Sequence, residues 1–218
     1  MAITFDNATK IFYLDGKSIT YAFYINPIGY PEHLYLGSRI GHDAITYTRA
    51  IGARSKNATP PGRDDLDASE YTYNRCGAEL AFFGTGDFRE PAIGVEFENG
   101  SRLIDLTYKS HTIEKGNKEP DGLPGLSGGD ETLEVTLKDA FTGLVVVLRY
   151  VVFADIDIIV RNSRIVNETG KSLYITRALS ASLDLCEGKY DMISLYGGHC
   201  FERQICREPL RHGTQSVG

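Results

Sequence analysis

Paired acidic residues occur at several places in the sequence, and their spacing is the first feature that could support chemistry. Hydrolysis of a glycosidic bond usually needs two facing carboxyl groups about 5 to 10 Å apart. The candidates are Asp64 with Asp65, Asp130 with Glu131, and Asp155 with Asp157. Because all three pairs lie in segments of turn composition, where acidic side chains are normally solvated, we do not expect any of them to be catalytic.

Histidine is the other residue type that could act as a base or bind a ligand. The chain has five histidines but no Gly-x-Ser-x-Gly segment, which would place a nucleophilic serine on a sharp turn. His33 and His111 fall within strand patterns, so we interpret them as strand-surface or core residues. His199 differs because it follows two glycines and lies close to Glu202 and Arg203. We therefore single out His199 as a candidate binding residue, with packing beneath a loop as the alternative.

A short glycine-containing corner, residues 84–92, could also present charge to a ligand. Asp87 and Arg89 flank Phe88, so burial of the phenylalanine would turn both charges the other way in an extended segment. A scaffolding ion pair and a charged pair facing a ligand both fit this pattern. No helix pattern follows the glycines, which argues against a phosphate-binding loop.

Composition excludes several classes of function. The net charge of -6 and a pI near 5.4 argue against a surface that binds nucleic acid or an anionic membrane. No apolar run approaches the roughly 18–20 residues that a membrane-spanning helix needs. The first residues show neither the basic start nor the apolar run of a signal peptide, so we expect a cytoplasmic protein.

The four cysteines are therefore expected to be reduced thiols rather than a disulfide framework. They are Cys76, Cys186, Cys200 and Cys206. The last two are six positions apart, which is not a zinc-ligand spacing, and no second pair would complete a site. We expect no metal and no cofactor.

The elements that would position these residues are strands. No window shows a helical apolar period, and strand–turn–strand spacings of about 8–12 residues predict an all-β, large antiparallel β-sandwich with little or no helix. Residues 144–153 are apolar on both faces, which predicts a central strand. Asn99 and Gly100 predict a type I′ hairpin between residues 95–98 and 103–108, and residues 173–185 are predicted to return as a strand. Residues 43–74 form a long excursion that is either functional or interfacial, or else a mobile surface loop.

Four segments resemble one family. They are residues 33–37, residues 84–92 with Glu79 before them, residues 122–124 ahead of 131–139, and residues 195–213. Together they resemble the amino-terminal domain of the bacterial α-galactosidases of glycoside hydrolase family 36, the type that acts on melibiose and raffinose. The likeness covers nearly the whole chain in the family's order and is weakest over residues 39–73.

The resemblance implies a fold and implies that catalysis belongs to a different domain. Family members begin with a β-sandwich, the supersandwich, which a (β/α)8 barrel and a small β-domain follow. Both catalytic aspartates of the retaining reaction lie in the barrel, which needs about 250 residues. Residues 1–218 would then be a single N-terminal domain, truncated before the barrel, without catalytic residues and inactive alone. The alternatives are a stand-alone carbohydrate-binding or interaction module, and an unrelated small β enzyme.

The resemblance also implies partners for the complete enzyme. The loop that holds His199 corresponds to a family segment that lies over the sugar pocket and often has Trp, so His199 is the expected substrate-binding residue. In tetrameric members a long loop that matches residues 43–67 reaches a neighbour's active site. The expected partners are thus an α-galactoside, the chain's own barrel and further copies in a homo-oligomer, a tetramer by family resemblance, with no nucleic acid and no membrane.

Overall fold

The computed structural model describes residues 1–43, 45, 77–84, 90–117, 122, 125–183, 185 and 188–217. The chain divides into two compact units, Met1–Asp184 and Leu185–Gly218. Strands account for 55% of the structure, with no helix of seven or more residues in the described part. The predicted all-β class is confirmed. None of the described helical turns has the length and apolar character that crossing a bilayer requires.

The strands of the first unit form two main sheets and one two-stranded pair. The first sheet has the order β1-β2-β3-β4-β5, from Ile3–Asp6, Ile11–Asp15, Ile19–Ile25, Pro31–Ser38 and Gly77–Ala78. The second has the order β10-β9-β8-β7, where β7 is Leu106–Lys115, β8 is Glu131–Asp139, β9 is Leu144–Phe153 and β10 is Ile158–Asn167. The pair consists of β6 (Ile93–Phe97) and β11 (Leu173–Ala178).

One apolar core joins the two main sheets of the first unit. On β8 the alternating residues Leu133, Val135 and Leu137 are fully buried, whereas all ten residues of β9 are buried. The prediction of a central strand at residues 144–153 is confirmed, since β9 lies between β10 and β8. The same cluster contains Phe12 and Phe23 from the first sheet, so the sheets face each other as a sandwich.

A chain of aromatic rings crosses this core and connects the two sheets. The ring centroids of Phe12 and Phe23 lie 4.8 Å apart in a stacked arrangement. Phe23 stacks in turn on Tyr150 of the second sheet, with centroids 5.2 Å apart. Tyr21, two residues before Phe23, lies 6.1 Å from Tyr150. The rings of Tyr21 and Tyr150 are therefore fixed by packing, which determines where their hydroxyl groups point.

The Asn99–Gly100 turn exists, but the predicted hairpin is wrong. The amide of Gly100 donates to the carbonyl of Phe97 at 2.8 Å, and only Gly100 of the two turn residues has a positive φ, 78°. A type I turn followed by a left-handed glycine fits this geometry, and a type I′ turn does not. Beyond the turn β6 pairs with β11 and β7 pairs with β8. A local turn signal specifies a reversal of the chain but not the partner of each strand.

Other predicted boundaries differ from the structure. The strand predicted over residues 173–185 ends at Ala178. A 3-10 turn at Ala154–Ile156 and the left-handed Asp157 precede β10, which begins at Ile158 rather than at Asp155. The excursion at residues 43–74, apart from residues 43 and 45, lies outside the described residues, and so do residues 85–89 of the charged corner.

The second unit is a single hairpin. Strand β12 (Asp191–Gly198) pairs with β13 (Phe201–Pro209) in antiparallel register, and a register shift lies between Tyr196 and Gly198. The two strands are connected by a turn of two residues, His199 and Cys200. This unit carries the candidate binding residue that the sequence predicted.

Candidate functional site

His199 lies at the tip of the β12–β13 hairpin, and its side chain is exposed. The turn is tight because Gly198 pairs directly with Phe201, and Cys200 takes a left-handed φ of 62°. Gly197 has a φ of 151°, and a Cβ at that position would lie 2.0 Å from the backbone oxygen of Phe201. Only glycine fits at position 197, so the geometry of the hairpin tip explains this glycine in the sequence.

The acidic residue beside His199 is engaged within the hairpin. Glu202 Oε1 accepts a hydrogen bond from the amide of Cys200 at 3.0 Å, which stabilises the turn. The imidazole of His199 is thereby carried on a defined turn and is open to an approaching ligand. Its role in substrate binding stays a prediction.

One face of the hairpin is apolar and exposed. Residues paired across an antiparallel ladder lie on the same face, which places Leu195 beside Ile205 and Ile193 beside Arg207. Ile193, Leu195 and Ile205 are 64%, 63% and 74% exposed, and we call them the apolar face. An ion pair between Arg207 and Asp191 at 2.6 Å borders it. Contiguous exposed apolar residues of this kind are typical of interaction surfaces.

The first unit contains a fully buried carboxylate that the sequence reasoning did not assign a role. Glu79 follows β5, and its side chain has no exposed surface. Tyr21 donates to it at 2.6 Å and Tyr150 donates at 2.5 Å. Arg161 Nη1 lies 3.2 Å from Glu79 Oε1, and His33 Nδ1 lies 3.6 Å from Oε2. We call these five residues the Glu79 cluster.

The electrostatics of the Glu79 cluster favour the ionised pair. Burial opposes the charge on Glu79, but Arg161, His33 and the two tyrosine hydroxyls outweigh it, so its pKa lies below the ordinary value of 4.5. Burial, and then the neighbouring carboxylate, raise the pKa values of Tyr21 and Tyr150 well above 10.0. The tyrosines therefore remain neutral donors and the carboxylate remains an acceptor.

The acidic pairs that the sequence offered as candidates are largely used by the fold. Asp130 accepts from the amide of Ala154 at 2.7 Å, and Glu131 accepts from the amide of Ile3 at 2.7 Å. Asp157 accepts from the amide of Ser18 at 2.8 Å. These carboxylates connect distant segments of the first unit, as expected for structural acids. Asp64 and Asp65 lie outside the described residues.

The described residues also contain an open pocket and two free thiols. An open pocket of about 470 Å³ in the first unit is lined by charges of both signs, among them Lys17, Arg39 and Asp155. No group of three or more His, Cys, Asp or Glu side chains in the described part could hold a metal ion. Cys200 and Cys206 are free thiols.

Glu79 could have been found in the sequence only in part. It stands within an apolar run, residues 78–83, which is an unusual place for an unpaired acid. Its partners Tyr21, Tyr150 and Arg161 lie 58, 71 and 82 positions away, and nothing local identifies them. The sequence could therefore indicate that Glu79 is buried, but it could not indicate with which residues.

Comparison with known proteins places these features in a family. The profile described as the glycosyl hydrolase family 36 N-terminal domain matches residues 29–218. The chain is 35% identical to alpha-galactosidase AgaA of Geobacillus stearothermophilus over 223 residues, which cover 100% of this chain and 30% of that protein.

Solved structures agree with this match. The galactosidase domain of the alpha-galactosidase–sucrose kinase AgaSK superposes with a TM-score of 0.89 at 32% identity, over 97% of this chain and 30% of that one. A variant of AgaA from Geobacillus stearothermophilus in complex with raffinose superposes with a TM-score of 0.84 at 34% identity, over 94% of this chain and 29% of that one. The chain thus spans less than a third of the length of these relatives.

Proposed function

Because the chain belongs to glycosyl hydrolase family 36 through that family's N-terminal domain, we propose that it serves as the non-catalytic N-terminal domain of an α-galactosidase. One observation carries the proposal: the whole chain aligns with α-galactosidase AgaA but occupies only 30% of it. The structural use of Asp130, Glu131 and Asp157 as acceptors for backbone amides supports a scaffolding role for this domain. Bond cleavage would belong to a barrel elsewhere in the complete protein.

The substrate class of the complete enzyme would be terminal α-galactosides. AgaA, to which this chain is similar, has been solved in complex with raffinose, and melibiose and raffinose are the substrates to test first. The coding sequence beyond codon 218 tests the proposal directly. We expect about 250 residues of alternating strands and helices that contain two catalytic aspartates. A reading frame that closes soon after codon 218, or one that encodes no barrel, would contradict it.

His199 would contribute to the rim of the sugar pocket in that enzyme. Its exposure at the tip of a tight hairpin supports this role, because an imidazole there can hydrogen-bond a sugar hydroxyl. We expect His199→Ala to raise the KM for melibiose without lowering the melting temperature, because the side chain is exposed. His212→Ala is the matched control, since His212 is also exposed in the second unit and lies outside the turn. Unchanged kinetics for His199→Ala would remove this residue from the pocket.

The apolar face of the hairpin supports the proposal that another part of the complete enzyme covers this surface. The barrel or a further subunit of a homo-oligomer would bury Ile193, Leu195 and Ile205. Light scattering on the complete enzyme tests the tetramer that the family resemblance implies, and a monomeric enzyme would contradict it. Cytoplasmic location stays a prediction, which cell fractionation would test.

A further inference from the structure

The open pocket of the first unit is formed where strands of both main sheets begin and end. Asp15 ends β2 and Arg39 directly follows β4 of the first sheet. Lys115 ends β7, Glu131 begins β8 and Asp155 follows β9 of the second sheet. The volume of about 470 Å³ lies within the range of about 300–1,000 Å³ that small-molecule sites occupy. We call this space the charged pocket, because its lining is ionic rather than apolar.

Glu131 brings a buried carboxylate with one uncommitted oxygen to the charged pocket. The residue is only 8% exposed, and its Oε2 accepts from the amide of Ile3 at 2.7 Å. No donor among the residues that the structure describes reaches Oε1. Asp15, by contrast, has both oxygens engaged, by the Thr20 hydroxyl at 2.7 Å and by His42 Nε2 at 2.8 Å. Because buried polar atoms are normally hydrogen-bonded, Glu131 Oε1 is available to a donor that enters the pocket.

The positive charges of the charged pocket are also available to a ligand. Neither Lys17 nor Lys115 has an ion-pair partner for its ammonium group within the described ranges. Arg39 uses Nη1 for the carbonyl of Gly16 at 2.9 Å and retains further donors. The pocket therefore offers donors from three cationic side chains together with the free acceptor of Glu131.

The walls of the charged pocket are held together by hydrogen bonds between the two sheets. The amide of Lys17 donates to the carbonyl of Ala154 at 2.8 Å, across the boundary between the sheets. The amide of Ser18 donates to Asp157 Oδ1 at 2.8 Å in the same region. A pocket whose walls are already fixed spends little binding free energy on ordering itself when a ligand enters.

The distribution of charge in the charged pocket selects the chemistry of the ligand. Three cations face four acids, so the formal charges nearly balance and a ligand with a net charge gains little. Both signs also occur on each wall, since Lys17 and Asp15 belong to the first sheet and Lys115 and Glu131 to the second. A zwitterion needs its two charges met at separate places, whereas a hydroxyl group donates and accepts at the same atom. Interspersed donors and acceptors therefore favour hydroxyl groups.

We propose that the charged pocket binds a neutral polyhydroxylated ligand, such as the end of a saccharide. A ligand hydroxyl donates to Glu131 Oε1, and neighbouring hydroxyl oxygens accept from Lys17, Arg39 and Lys115. All of these side chains belong to the first unit, so the inference does not depend on the proposed function.

A nuclear magnetic resonance titration of the 218-residue chain with melibiose tests this site. We expect saturable shifts of the amides of Lys17, Arg39 and Glu131, with a Kd of about 10 mM or lower. Inorganic phosphate and glycine, as probes for an anion and a zwitterion, should bind more weakly at the same amides. Melibiose shifts that do not saturate, or that avoid these amides, would overturn the inference. Tighter binding of phosphate or glycine would also overturn it, because the pocket would then select ionic ligands.

Two substitutions assign the binding to the proposed contacts. Glu131→Gln keeps an oxygen for the Ile3 amide but removes the charged acceptor, and Lys115→Gln removes a charged donor from an exposed position. We expect each to weaken melibiose binding about fivefold, because hydrogen bonds to charged groups are the stronger ones. Lys109→Gln is the control, since Lys109 is exposed on the same strand as Lys115 but does not line the pocket.

Equal weakening by Lys109→Gln and Lys115→Gln would contradict the site, because the effect would then come from surface charge alone. If Glu131→Gln unfolds the chain, Lys115→Gln still decides the outcome, because its side chain is exposed. A reading frame without a barrel would refute the proposed function and would leave the result of the titration unchanged.

Discussion

Removing the charge of Glu79 is the sharpest perturbation that the structure offers. Glu79→Gln keeps the shape of the side chain and one oxygen acceptor for the tyrosine hydroxyls, but it leaves the Arg161 charge buried without a counterion. At the 3.2 Å separation of this pair, Coulomb attraction is about 5 kcal/mol for an effective dielectric constant of about 20. Measured losses for breaking a buried pair from one side are about 3–5 kcal/mol. We therefore expect a loss of about 3–5 kcal/mol in the free energy of unfolding.

Urea unfolding followed by circular dichroism measures this loss. In thermal unfolding of a domain of this size, the same loss would lower the melting temperature by about 6–20 °C. Glu96→Gln is the matched control, because the exposed Glu96–Arg102 pair has a short contact of 2.5 Å but should contribute less than about 1 kcal/mol. Adding Arg161→Met to Glu79→Gln removes the orphaned charge and should recover part of the loss. The reasoning is refuted if Glu79→Gln and Glu96→Gln destabilise the protein equally.

The Glu79 carboxylate also makes the free energy of unfolding depend on pH in the acidic range. The pKa of Glu79 is lowered in the folded protein, so the folded state favours the ionised form. Its contribution is therefore complete above the ordinary value of 4.5, taken for the unfolded chain, and is lost as the pH falls through the lower folded value. Wild-type stability should decline more steeply than that of Glu79→Gln as the pH falls below the ordinary pKa of 4.5. Parallel pH profiles for the two proteins would contradict this linkage.

Three further predictions follow from other parts of the structure. Gly197→Ala should accelerate amide exchange along β12 and β13, because its Cβ would lie 2.0 Å from the Phe201 oxygen, whereas Gly198→Ala meets no atom within 4 Å and should not. Leu148→Ala should reduce the unfolding free energy by about 2–5 kcal/mol in urea titrations, since it creates a cavity in the sandwich core. The pKa of Tyr150 is raised well above 10.0, so stability should fall as the pH rises beyond about 10, and Tyr150→Phe should flatten that decline.

Strands with a regular pattern of apolar residues could be predicted from the sequence, because burial along such a strand repeats over one or two residues. The alternation of Leu133, Val135 and Leu137 on β8 reflects one buried face, and the uninterrupted apolar run of β9 reflects burial on both. The pairing of β6 with β11 could not be predicted, because the partners are more than seventy residues apart and the intervening turn signal favoured a nearer strand.

The residues of the candidate sites also divide into those that the sequence could indicate and those that it could not. The glycines singled out His199 in the sequence, but the two-residue hairpin turn that the structure has at that place was not predicted. The Glu79 cluster could not be predicted, because its five members come from separate elements that only the packing of the two sheets brings together. A buried charge is stabilised by partners from anywhere in the chain, and a single sequence carries no record of which partners those are.

The proposal of a non-catalytic domain is tested most directly by comparing two proteins on a chromogenic α-galactoside. The 218-residue chain should show no turnover, and the longer product of the same gene should hydrolyse the substrate with retention of configuration. Turnover by a clean preparation of the 218-residue chain would contradict the proposal, because the catalytic acids would then have to lie within these residues.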